Sequence, residues 1–226
     1  MQPFLSVIIP AHNEETRLTT SLRQLGLFLS RQDYTSEVVV VENGSQDQTY
    51  TVAMEIAGEM PNLRVLHLDE AGKGLAVRTG LLASHGDYRM IADADFSMPV
   101  EEINLFLPPN QDADICIASR ELTGSVRYNE PALRHFIGRI YNFFIRALVL
   151  PGLQDTQCGF KCFRGKIVED IFSLQTIDGR ERRELPLLER PPQPRRPRAE
   201  VVHARLGHLH LIELLQSRIV LSELPR

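Results

Sequence analysis

From residue 5 onward, short apolar runs alternate with longer stretches in which apolar residues recur every three or four positions. Leu5–Pro10 reads as a buried strand, and Thr16–Ser30 as an amphipathic helix carrying Leu18, Leu22, Leu25 and Leu29 on one face. Val38–Val41 is a second β-branched run, followed by the turn Glu42-Asn43-Gly44-Ser45. The pattern then predicts a helix over Gln48–Met60, a strand over Leu63–Leu68, a helix over Lys73–His85 and a fourth strand over Asp87–Ala92. Strands separated by helices of this length imply right-handed crossovers, hence an α/β fold with a mostly parallel sheet flanked by helices. In such sheets ligands gather at the carboxyl ends of the strands. Pro10–Glu14, Glu42–Ser45 and Asp93–Ser97 all fall there, so three polar turns from three strands converge on one edge.

The second half reads differently. Asp114–Ala118 predicts a short strand, Glu121–Glu130 a polar loop, and Pro131–Leu148 a long helical stretch studded with Arg134, Arg139 and Arg146. After Gly179 the composition shifts abruptly: Arg180–Arg198 is crowded with Arg, Glu and Pro, with five prolines between positions 186 and 197. Such a stretch has little to bury and cannot continue as a helix. The expected organisation is a domain over residues 1–179, a disordered Pro/Arg-rich segment over 180–200, and a tail over 201–226. In that tail Leu209, Ile212, Leu215 and Ile219 share one helical face.

The 226 residues suffice for one α/β domain, and a hydrophobic content of 43% is ordinary for a packed core. A net charge of −4 argues against nucleic acid as a partner. Cys116, Cys158 and Cys162 form no Cys-x-x-Cys pair, which fits a reducing cytoplasm better than a disulfide framework. The first residues lack the basic and apolar regions of a signal peptide. No run reaches the roughly 18 apolar residues of a membrane span; Ile137–Leu153 comes nearest but carries Arg139 and Arg146.

The sharpest chemical feature is Asp93-Ala94-Asp95 at the end of the fourth apolar run. On a strand, residues two apart point to the same side. Two carboxylates about 4 Å apart repel by roughly 4 kcal/mol at an effective dielectric near 20. The pair therefore calls for a hard cation, a shared proton or a basic partner, and Mg²⁺ or Mn²⁺ bound to substrate phosphates is a common solution; the plain alternative is a turn in which both acids face water. Gly72-Lys73-Gly74 before a helix offers backbone N–H groups, a positive helix end and an ammonium to an anion, although a plain glycine turn has the same composition. Asn13 or Glu14 is placed to cap the first helix, and Glu42-Asn43-Gly44-Ser45-Gln46-Asp47 to cap the second or to bind a base or ribose.

Five motifs in order carry a resemblance: Ser6-Val7-Ile8-Ile9-Pro10-Ala11-His12-Asn13-Glu14-Glu15, Glu42-Asn43-Gly44-Ser45-Gln46-Asp47-Gln48-Thr49, Gly72-Lys73-Gly74, Asp93-Ala94-Asp95, and Asp155-Thr156-Gln157-Cys158-Gly159-Phe160-Lys161. Over residues 5 to 179 the chain resembles an inverting family 2 glycosyltransferase of GT-A fold, in the branch of the dolichyl-phosphate glucosyltransferases and dolichol-phosphate mannose synthases. The resemblance implies that Pro10, His12 and Glu14 line a nucleotide site, with His12 where relatives often have Tyr. It implies that Glu42 holds the base or ribose, where many relatives carry the shorter Asp. Asp93 and Asp95 would bind the nucleotide-sugar and its Mg²⁺ or Mn²⁺, with Ser97 as a weak or water-mediated metal ligand and Lys73 on the diphosphate. Arg120 and Arg134 would grip the acceptor phosphate, and Asp155 would support the acceptor side or act as base. The implied activity is metal-dependent transfer of a hexose, foremost glucose from UDP-glucose, to a polyprenyl phosphate at the cytoplasmic face of a membrane. The aromatics Phe136, Tyr141, Phe143 and Phe144 would suit peripheral membrane contact or, equally, a core helix. The alternatives are a saccharide hydroxyl as acceptor, or a nucleotide-sugar-binding remnant without turnover. The resemblance stops near Gly179, where relatives continue with an aromatic residue, a Phe-Asp pair and a Glu on a helix. A diverged tail or an altered reading frame would each account for that.

Overall fold

The computed structural model describes residues 2–119, 158–173 and 198–202. Strand β1 (Leu5–Ala11) is followed by α1 (Glu15–Leu29), β2 (Ser36–Asn43), α2 (Thr49–Glu59), β3 (Leu63–Leu68), α3 (Lys73–Ala83) and β4 (Tyr88–Ile91). Then come a 3-10 helix (Val100–Phe106), β5 (Ile115–Ser119), β6 (Lys161–Arg164), a helix here called α4 (Gly165–Phe172), and β7 (Arg198–Val202). The sheet order is β3-β2-β1-β4-β6-β5-β7. The four strands β3, β2, β1 and β4 run parallel, and β6 enters antiparallel between β4 and β5. Among the described residues five of the seven strands therefore point the same way, in keeping with an α/β fold with crossover helices.

Both faces of the central strands are covered, which is why β1 and β2 read as continuous apolar runs rather than alternating ones. Leu5, Val7 and Ile9 pack with Leu18, Leu22, Leu25 and Leu29 of α1 and with Ala53 and Ile56 of α2. On the opposite face Ile8, Val39 and Val41 meet Ala76, Val77 and Leu81 of α3 and Ile167, Val168 and Ile171 of α4. The three cysteines are buried in the sheet region, with Cys116 of β5 directly opposite Cys162 of β6. Burial pushes the Cys116 thiol up to about 12 and raises Cys162 as well. Among the described residues no helix is long and apolar enough to cross a membrane.

The predicted elements from β1 to β5 are present with ends shifted by one or two residues. Two features bear on the site. The acid pair follows β4 in a turn, the plainer of the two readings open for it: the Phe96 N–H closes that turn onto the Asp93 carbonyl at 3.0 Å, and Phe96 takes φ 39°. Ala94 is buried while Asp95 is exposed, so the side-to-side alternation persists into that turn. Residues 198–202, which straddle the boundary expected at 200, pair antiparallel with β5 as β7 instead of forming the end of a disordered segment and the start of a helical tail. The run Ala199-Glu200-Val201-Val202 has the β-branched pair a strand favours, and β5 offers it an edge.

Gly80 of α3 sits against the sheet, where an added Cβ would lie 2.5 Å from Ile8 Cγ2 and 2.9 Å from Val41 Cγ2. Gly58 of α2 has nothing within 4 Å of the same position. Gly80→Val is expected to destabilise by about 1–3 kcal/mol through overpacking, and Gly58→Ala to stabilise by about 0.4–1 kcal/mol. Urea denaturation of both variants checks the pair; equal effects would mean that α3 does not pack as described.

Candidate active site

The carboxyl ends of β1, β2 and β4 and the start of α3 form one rim, and hydrogen bonds between loops build it. The first helix is not capped by its own neighbours: Glu14 and Asn13 make no side-chain cap. The Asn13 amide oxygen instead accepts the Gln46 N–H at 2.9 Å, and Glu14 pairs with Arg17 at 2.8 Å. Asp47 from the next loop receives the Glu15 N–H at 3.2 Å, and Glu15 in return receives the Gln48 N–H at 2.7 Å. Asp47 also caps its own helix, as its turn suggested, by accepting the Thr49 N–H at 2.9 Å, so each helix start receives an acid from the other loop and negative charge lies where the helix dipole favours it. The buried Asn43 amide, oriented by its partners, donates to the Ala11 carbonyl at 2.7 Å and accepts the Gly72 N–H at 2.9 Å. Three loops are tied through that one side chain.

On this rim His12 places Nδ1 2.7 Å from the Asn43 carbonyl, so Nδ1 carries the proton and Nε2 accepts from the Asn13 amide at 3.2 Å. Pro10, half-buried, stands opposite Val41. Glu42, only 1% exposed, accepts the Ser45 N–H at 2.6 Å and bonds the His67 ring. Lys73, the first residue of α3, reaches Asp93 Oδ1 with Nζ at 2.8 Å. Asp95 is exposed and its Oδ1 accepts the Ser97 backbone N–H at 3.1 Å. Burial raises the pKa of Glu14, and the charges of Asp95 and Asp93 push it further up against the pull of Arg17. Glu14, Asp93 and Asp95 therefore feel one another across the rim. The structure brings Pro10, His12, Glu14, Glu42, Lys73, Asp93, Asp95 and Ser97 to one edge; Arg120, Arg134 and Asp155 lie outside the described residues.

Several contributors were not singled out from the sequence. Asn43 was visible only as a turn residue and Asp47 only within a cap for its own helix, because their other partners are remote in the chain. His67 stands opposite Glu42 in the parallel register of β2 and β3, and a lone His between Leu66 and Leu68 was the available signal. Gly159 is the third: a Cβ there would overlap the Asp93 carboxylate, so only glycine lets that carboxylate sit against the turn before β6. The Lys161 ammonium, buried, fixes that turn by donating to the Cys158 carbonyl at 2.8 Å.

The mostly parallel sheet thus carries at its carboxyl-end rim a group of acids, a lysine at a helix N-terminus and a glycine seat for one carboxylate, on an α/β frame of the GT-A kind. Residues 6–172 match the family described as Glycosyl transferase family 2, and the chain belongs to that family. It is 33% identical over 190 residues to a dolichyl-phosphate beta-glucosyltransferase of Dictyostelium discoideum, covering 77% of this chain and 58% of the relative. It is 32% identical over 185 residues to the Homo sapiens dolichyl-phosphate beta-glucosyltransferase, covering 75% and 57%. The match thus spans little more than half the length of these relatives. In fold the chain is similar to glucosyl-3-phosphoglycerate synthase from Mycobacterium tuberculosis in complex with UDP, with TM-score 0.53 and 20% identity over 73% of this chain and 58% of that one.

If Gly159 seats Asp93, Gly159→Ala displaces that carboxylate from Lys73 while leaving the core intact. Calorimetric binding of UDP with Mn²⁺ is expected to weaken by about 10–100-fold, the usual cost of losing support behind a ligand-binding acid. Binding equal to that of the parent chain would show that the seat is irrelevant.

Proposed function

We propose that this chain transfers a hexose, glucose from UDP-glucose, to a polyprenyl phosphate of the dolichyl type with inversion at the anomeric carbon. The relatives' names support the acceptor and the sugar. The observation that carries the reading is the rim itself: Lys73 on Asp93 beside an exposed Asp95, at the carboxyl end of β4.

A divalent cation fits these residues. Asp93 and Asp95 offer only oxygen donors, the kind that Mg²⁺ and Mn²⁺ prefer. Among the described residues no group of three His, Cys, Asp or Glu side chains closes round a cation. Two carboxylates plus substrate phosphates and water are the usual ligand supply for Mg²⁺. When bound, the cation would draw charge from the departing nucleoside diphosphate. The protein's own groups do the remaining work. Lys73, at the positive end of α3, balances Asp93 and stands ready for the diphosphate, whose charge it shares. Glu42 and its loop hold the base or ribose, and Pro10, His12 and Glu14 wall the nucleotide. Ser97 fixes Asp95 through its backbone N–H, and its hydroxyl would serve a cation weakly or through water.

A phosphate acceptor arrives already ionised, so orientation rather than proton removal governs its attack on the anomeric carbon. Arg120 and Arg134 are assigned to grip that phosphate, and Asp155 to the acceptor side. An α-linked donor would give a β-linked product. We assign this work to a domain over residues 1–179, acting peripherally at the cytoplasmic face of the membrane that holds the acceptor.

Radiolabelled nucleotide-sugars offered with a short polyprenyl phosphate and Mn²⁺ test the reading. Lipid-linked glucose from UDP-glucose is expected, falling by about a hundredfold or more in Asp95→Asn. Transfer to saccharide hydroxyls instead would change the acceptor class. Nucleotide-sugar binding with no product in either assay would leave a binding module, and undiminished transfer in the variant would remove Asp95 from the site.

A further inference from the structure

The side chain that faces solvent in front of Glu42 is His67. Glu42 is 1% exposed and His67 is 48% exposed, so the imidazole covers the carboxylate at the strand end where the nucleotide site opens. His67 Nδ1 bonds Glu42 Oε2, and Nε2 lies 3.3 Å from Asp69 Oδ1. An ionised carboxylate only accepts hydrogen bonds, so Nδ1 donates to Glu42, and a second acid within ion-pair distance of Nε2 favours a proton there too. A ring protonated on both nitrogens is the imidazolium. The groups facing it are Glu42 from β2, Asp69 from the end of β3, and the Tyr50 ring of α2, whose centroid lies 5.1 Å away at an edge-on angle of 61°.

Glu42 is in turn the post on which the nucleotide loop hangs. It receives the Ser45 N–H; Ser45 Oγ receives the Asn13 N–H at 3.1 Å; and the Asn13 side chain receives the Gln46 N–H at 2.9 Å. We infer that His67 is a positioning residue for the sugar donor: its imidazolium neutralises the buried Glu42 and keeps the loop at 42–48 in the geometry that takes the nucleotide. The inference rests on the donor reading given above and adds to it a residue and a proton.

Loss of the proton strands a buried carboxylate without its cation, an arrangement that costs more than the pair gained. Glu42 then turns outward toward water, and the Ser45 N–H loses its acceptor. The bond to Glu42, reinforced by Asp69, raises the pKa of His67 above its ordinary value. A raised value means that the pair is complete at lower pH and is lost as pH climbs through it. Donor binding should therefore weaken toward alkaline pH.

Calorimetric titration of UDP-glucose with Mn²⁺ from pH 6 to pH 9 tests this, because the donor's diphosphate stays fully ionised over that range. The parent chain is expected to lose about tenfold in affinity. His67→Arg, whose charge does not titrate, should bind with a flat profile near the low-pH value, and His67→Gln with a flat profile near the high-pH value. In parallel, the His67 ring resonance should titrate with a midpoint above that of a free imidazole, and that midpoint should fall in Glu42→Gln. A parent profile without slope, or a slope surviving in His67→Gln, overturns the inference while leaving the donor reading in place. Absence of UDP-glucose binding at every pH overturns both.

Discussion

The 2.8 Å ion pair between Lys73 and Asp93, seated on the bare Cα of Gly159, is the contact on which the rim is organised. Two acids one residue apart at the end of a buried strand repel each other. A lysine delivered by the first turn of α3 removes one of those charges from the balance and leaves Asp95 in water. The glycine matters as much as the lysine, since any side chain at 159 would occupy the volume of the carboxylate. Three parts of the chain, near residues 73, 93 and 159, meet in this arrangement. Its geometry is therefore fixed by the tertiary fold and not by any local motif.

The same economy appears at the two helix starts. Asp47 and Glu15 each serve the other's helix, so the loops after β1 and β2 are mutually dependent. Asn43 extends that dependence to Gly72, next to the lysine. A rim built this way is in place before a ligand arrives, and little ordering entropy is left for binding to overcome. The chemistry proposed for it, in which groups already in position meet a charged leaving group, benefits from that kind of preorganisation.

Most of the first 119 residues were legible from the sequence because their physics is local. The valines of β2 and the leucine stripe of α1 announce elements covered on one or both faces, and the strands' order in the chain implied where their polar ends would gather. Asp93, Asp95 and Lys73 were legible as residue types, and the resemblance gave them partners. What escaped depends on remote pairing. Lys161–Arg164 is four residues long with a charge at each end and becomes a strand only because β4 and β5 flank it. The capping roles suggested for Asn13 and Glu14 failed because their side chains are engaged elsewhere, Asn13 by the Gln46 N–H and Glu14 by Arg17, while Asp47, distant in sequence, takes the Glu15 N–H. The turn that carries the acids was one of two open readings, and Phe96 at positive φ, which closes it, had no signal of its own. None of those pairings has a periodicity to betray it.

Cys116 and Cys162 face each other across β5 and β6 with their sulfurs protonated at any physiological pH. Only a thiolate reacts readily with oxidants and alkylating reagents, so in the intact sheet both sulfurs are chemically silent. They acquire reactivity when that half of the sheet comes apart. The rate at which a maleimide or iodoacetamide labels them is therefore a built-in clock for local opening of the strands that support Gly159.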